Sequence, residues 1–146
     1  MKNGHSLAGV TVKPVIEKPA VNPGHGDEIV LDHAEIVSLM QVVLKKGAAF
    51  RFRARGWSMT PFIRDGDWIT VAPLSQEPLS IGKVVAFIHP QSRRLVVHRL
   101  VGKQGSAYLI RGDNVAAQTD GYVDISEILG CVTVVERDGK RVYLGL

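Results

Sequence analysis

Cysteine is nearly missing from this chain. Cys131, in the apolar run ILGCVTVV, is the only one among 146 residues. No intramolecular disulfide can form, so the fold rests on packing, and a reducing compartment suits it. The thiol's apolar neighbours mark it as a core residue. Long hydrophobic runs are missing too: none approaches the ~18 residues that span a bilayer, and the N-terminal MKNGHSLAGVTVKPV has no continuous apolar segment of the kind a secretory leader carries. A soluble cytoplasmic protein is therefore expected. There is no internal repeat, no zinc-type Cys/His spacing, no phosphate-binding Gly-rich loop and no dinucleotide fingerprint.

What is present is the composition of an ordinary globular domain, with 45% hydrophobic and 22% charged residues. The net charge of +4 is spread along the chain, so it permits an acidic partner without implying nucleic acid. Residues 1–28, with Pro14, Pro19, Pro23, Gly4, Gly9, Gly24 and Gly26 and no sustained periodicity, read as a flexible arm. Residues 29–146 read as a single domain.

That domain begins with a helix expected over residues 33–46. In DHAE, Asp32 offers a capping carboxylate with Glu35 three residues on, while Ile36, Leu39, Met40 and Val43 fall on one face. Lys45 and Lys46 suit the last turn, and Gly47 the stop. The period then changes to two: Phe50, Phe52 and Ala54 alternate with Arg51, Arg53 and Arg55. This arginine stripe reads as a solvated strand face, with phosphate tracking as the alternative. Further β-rich runs are expected at 68–72, 83–88, 94–101, 107–111, 128–136 and 141–144, which predicts a mainly β, partly closed antiparallel fold with one N-terminal amphipathic helix.

Within GWSMTPFIRDGDWITV, residues 56–71, Ser58 has the setting of a presented nucleophile. A serine hydroxyl needs a base within reach and a backbone that leaves its oxygen exposed. Gly56 can take angles closed to other residues and lets a substrate approach, Met59 can anchor the turn by packing, and turn N–H groups are natural oxyanion donors. Taken alone, the segment also fits an ordinary polar loop. In RRLVVHRLV, alternation puts His98 on the same face as Val96 and Leu100, an apolar setting suited to a neutral, proton-accepting imidazole. His5, His25, His33 and His89 have loop or helix-start contexts. Asp113 in IRGDN and Asp120 in QTDG are both able to supply the carboxylate that orients such a histidine.

Taken in order, GWSMTPFIRDGDWITV, IGKVVAFIHP, LVVHRLV, YLIRGDN with its following aspartate, and ILGCVTVV resemble the clan of type I signal peptidases and LexA-like self-cleaving proteins over roughly residues 48–136. The resemblance implies a serine endopeptidase with Ser58 as nucleophile. It places His98 where many members carry a lysine, so the chain looks like the histidine-using branch of archaeal, endoplasmic-reticulum and sporulation-type signal peptidases. In that branch the orienting carboxylate would by position be Asp120, with Asp113 supporting, and Gly56, Trp57 and Met59 would contact substrate. Trp57 fills a site that is usually small or polar, and Val115 one where asparagine is common. The implied partner is a peptide or protein substrate with small side chains before the cut bond, added as an extended strand. No metal or organic cofactor is implied, and peripheral membrane recruitment and homodimer formation stay open. Two alternatives remain: a self-cleaving regulator cut at Ala8-Gly9 within SLAGVT, and a non-catalytic module binding peptides or acidic partners on the same fold.

Overall fold

The computed structural model describes residues 10–13 and 29–145. The helix, α1 (His33–Lys45), starts as its capping residues dictate: the Glu35 N–H donates to Asp32 Oδ1 at 2.8 Å, and the Asp32 N–H donates to Glu35 Oε2 at 2.9 Å. It stops at Gly47, whose φ of 81° only glycine adopts easily, with the Ala48 N–H reaching back to the Val43 carbonyl. Its buried stripe is Ile36, Met40 and Leu44. Leu39 was expected on that stripe, but it is 38% exposed because the inward face follows a strict four-residue step.

Among the described residues ten strands make one sheet: β1 (Val10–Lys13), β2 (Ile29–Leu31), β3 (Phe50–Arg53), β4 (Trp68–Pro73), β5 (Val84–Ile88), β6 (Leu95–Gln104), β7 (Ala107–Arg111), β8 (Thr119–Asp124), β9 (Ile128–Arg137) and β10 (Lys140–Arg141). The order is β2-β1-β3-β4-β9-β5-β6-β7-β8, with β10 attached to β9, and every pairing is antiparallel. The fold is mainly β with one helix, as expected, and among the described residues the sheet runs from β2 to β8 without full closure.

The arm expected over 1–28 contributes β1; its other residues, with the Ala8-Gly9 bond, lie outside the described ones. The run expected at 141–144 pairs only at Lys140 and Arg141, just after Asp138-Gly139, where φ values of 53° and 74° make a two-residue hairpin turn.

Strand β5 is buried along its whole length, and this organises the core. Val84 and Ala86 join the cluster under α1 with Met40, Phe52, Ile69 and Val135, while Val85 and Phe87 join Leu100, Ile110 and Val123 in a second cluster. A continuous apolar run of five residues suits only a strand covered on both faces. The arginine stripe is partly tied down: Arg51 bonds Glu136 at 2.7 Å, and Arg51 and Arg53 lie 4.6 and 5.3 Å from the Trp68 ring. These contacts fit the solvated-face reading better than a free phosphate track.

Candidate active site

Ser58 lies in the loop between β3 and β4, and two aspartates shape that loop. Asp65 Oδ1 accepts from the Gly56 N–H at 2.9 Å, holding the glycine at φ 89° with open space where a Cβ would stand, so backbone angle alone calls for glycine there. Asp67, 2% exposed, accepts from Arg137 Nε at 2.9 Å and Nη2 at 2.7 Å, and from the Arg64 N–H at 2.8 Å. That hydrogen bonding is the main cause of the raised Arg137 pKa. The Gly-Asp pair of the motif is thus structural. Met59 and Ile63 turn inward at 4% and 3% exposure, leaving Ser58 exposed and Trp57 61% exposed. Met59, expected both to anchor the turn and to contact substrate, is buried as an anchor, and its Sδ accepts from the Asp113 N–H at 3.4 Å.

His98 sits mid-strand on β6 opposite Val85, 8% exposed, its ring 6.1 Å from that of Phe87. Its Nε2 is 2.9 Å from Ser58 Oγ, and its Nδ1 is 2.5 Å from Asp120 Oδ2. An ionised carboxylate can only accept, so Nδ1 carries the proton and Nε2 is left to accept from the serine hydroxyl.

Asp120 reaches this position through a β-bulge. Ile110 pairs with Gly121 and Arg111 with Thr119, so Asp120 falls between two rungs, next to Gly121 at φ 79°. The Thr119 hydroxyl braces the bulge, donating to the Ile110 carbonyl at 3.2 Å and accepting from the Gly121 N–H at 3.1 Å.

Strand β7 lies between β6 and β8, and Gly112 just past its end makes room for Ser58 and His98 to meet. A Cβ there would stand 2.5 Å from the Ser58 carbonyl oxygen and 3.1 Å from His98 Nε2. The Asn114 N–H donates to that same carbonyl at 2.9 Å, and its Nδ2 donates to the Trp57 carbonyl at 3.0 Å and Thr60 Oγ1 at 2.9 Å. Asn114 therefore clasps the serine loop to the β7–β8 turn.

Of the expected site residues, Ser58, His98 and Asp120 come together, with Gly56 and Trp57 alongside. Asp113 does not touch His98; both its oxygens face Arg99, from Nε at 2.8 Å and Nη2 at 2.7 Å. Sequence reasoning assigned no role to Gly112, Arg99 or His89. His89 Nε2 lies 3.6 Å from Asp120 Oδ1, an approach that a His-Pro pair at a strand end does not announce. Among the described residues no group of three His, Cys, Asp or Glu side chains is placed to hold a metal ion, and no helix is long and apolar enough to cross a membrane.

Comparison with curated proteins gave no match. A family model described as Peptidase S24-like matches residues 14–133, which span the serine loop, His98 and Asp120. With most of its length matched, this chain belongs to the Peptidase S24-like family.

Proposed function

We propose that the protein is a serine endopeptidase using Ser58 as nucleophile, His98 as general base and Asp120 as the group that orients the base. One observation carries the reading: the unbroken hydrogen-bond line from Ser58 Oγ through His98 to Asp120, at 2.9 and 2.5 Å. Ser58 Oγ attacks the peptide carbonyl as His98 Nε2 takes its proton. That proton passes to the leaving amine, giving an acyl-enzyme. Water, deprotonated by the same nitrogen, then releases the acid and restores the hydroxyl. Asp120 stabilises the transient imidazolium. The Ser58 N–H makes no main-chain hydrogen bond among the described residues, so it is available to the oxyanion. Processing of precursor peptides, as by histidine-type signal peptidases, is the finer form of this proposal. Incubation with a fluorophosphonate probe tests it: mass spectrometry should find one adduct, on Ser58, absent in Ser58→Ala and slow in His98→Ala. An unlabelled wild-type protein would overturn the mechanism.

One observation favours self-cleavage as a second reading. Strand β1 begins one residue after Gly9 and pairs with β3, the strand that leads into the Ser58 loop. Since β4 holds the other edge of β3, an added substrate strand there would have to displace β1. Loss of the first eight residues at a rate independent of protein concentration, absent in Ser58→Ala, would put this reading first. An arm that survives incubation would leave cleavage in trans.

A further inference from the structure

The Asp120 side chain is 9% exposed, and a buried carboxylate is costly unless donors surround it. His98 Nδ1 serves Oδ2, and His89 Nε2 lies 3.6 Å from Oδ1. That approach is just outside hydrogen-bonding range, as catalytic contacts often are before substrate arrives. The other nitrogen of His89 decides which proton it presents. The Gln91 and Ser92 N–H groups point at Nδ1 from 3.2 and 3.3 Å. Two donors aimed at one nitrogen require it to be an acceptor, so the proton sits on Nε2 and faces Asp120. The β5–β6 turn fixes this ring, because the His89 N–H bonds the Arg94 carbonyl at 2.9 Å and the Arg93 N–H bonds the His89 carbonyl at 2.9 Å. Phe87 packs at 6.5 and 6.1 Å from the His89 and His98 rings, holding both on one side of the strand pair.

We infer that His89 is a positioning residue: its Nε2–H holds the second oxygen of Asp120, keeping the first on His98 Nδ1. The inference rests on the serine peptidase reading for its catalytic consequence, but its geometry stands apart from that reading. In this role His89 need not touch substrate. It acts through Asp120, so its removal should slow attack by Ser58 without weakening recognition.

Two measurements test it. In the first, the rate of fluorophosphonate labelling at saturating probe is compared across variants. His89→Ala should be slower by about tenfold, the weight of one hydrogen bond to a charged group, with the half-saturating probe concentration unchanged. His89→Gln, which carries an amide N–H at similar reach, should recover most of the rate. In an Asp120→Asn background, His89→Ala should have no further effect. A wild-type rate in His89→Ala, an equal added loss in the Asp120→Asn background, or no rescue by glutamine would overturn the role. The second measurement needs no activity: side-chain nitrogen NMR should show His89 protonated on Nε2 and His98 on Nδ1, with the His98 proton signal shifted in His89→Ala and retained in His89→Gln. His89 protonated on Nδ1, or a His98 signal unmoved in His89→Ala, would overturn the inference. Should the wild-type protein not label, the peptidase reading falls, and the NMR outcome still decides whether His89 holds Asp120.

Discussion

Asp113 and Arg99 form a two-pronged ion pair whose side chains are only 11% and 13% exposed, one residue along the strand from His98. Arg99 also donates to the Gly82 carbonyl at 2.8 Å and the Leu144 carbonyl at 2.6 Å, and its guanidinium lies 5.3 Å from the Phe62 ring. The carboxylate of the Gly-Asp-Asn turn thus secures the fold near the serine loop, while Asp120, seven residues on, faces His98. Asp113→Ala strands a buried guanidinium and should cost about 3 kcal/mol. Thermal melting should show a Tm lower by roughly 10 °C. Asp120→Asn should melt near wild type and instead label Ser58 at a much slower, still measurable rate. The reverse pattern would exchange the two assignments.

Gly112→Ala tests how closely the residue after β7 packs against the serine loop and His98. The added methyl would meet a main-chain oxygen, which cannot swing aside, at 2.5 Å. Ser58 and His98 must then separate. We expect labelling to fall by at least about tenfold, since misplacement by even 1 Å costs that and more. A crystal structure should show the Ser58 Oγ to His98 Nε2 distance lengthened beyond 2.9 Å. Unchanged labelling would mean that the turn yields without moving the site.

His33 gives the fold a pH dependence of its own. Burial, and then the positive charge of Arg94, lower its pKa from 6.5 despite Asp32, and neither ring nitrogen has a hydrogen-bond partner among the described residues. Because the folded value is lowered, the unfolded chain binds this proton first. Stability contributed here is complete above pH 6.5 and is lost as pH falls through that value toward the lower folded one. Urea unfolding should show wild type losing stability between pH 7.5 and about pH 5, with a smaller loss in His33→Leu. Equal slopes would exclude His33 as the cause.

Burial raises the Cys131 thiol above 9.0, outweighing the nearby charge of Lys83. Alkylation by iodoacetamide at pH 8 should therefore be several-fold slower in the native protein than in urea, where the thiol returns to about 8.5. Equal rates would show the thiol to be freely ionised in the fold.

Much of this architecture was legible because local chemistry and tertiary role agree. Asp32 and Glu35 announce the start of α1, and Phe50 and Phe52 alternate inward as period two requires. Strand β8 was illegible for the opposite reason. TDGYVD carries only Val123 as a buried residue, and the bulge at Asp120 breaks the alternation. The same bulge explains why residue type could not choose between Asp113 and Asp120: what separates them is register against β7. Resemblance to a family supplied that choice; in the structure Asp120 lies against His98 and Asp113 against Arg99. His89 lay beyond both routes, since its approach to Asp120 depends on a turn meeting a strand 31 residues away.

The ties that hold Ser58 in place have a practical side. They run through its main chain: the carbonyl accepts from Asn114, and the hydroxyl reaches only His98 among the described residues. Deleting that single oxygen leaves those main-chain ties, and so the loop, in place. Ser58→Ala is then more than a dead control. On the proposed mechanism it becomes bait, able to hold a partner that it could no longer cut long enough for that partner to be isolated and sequenced.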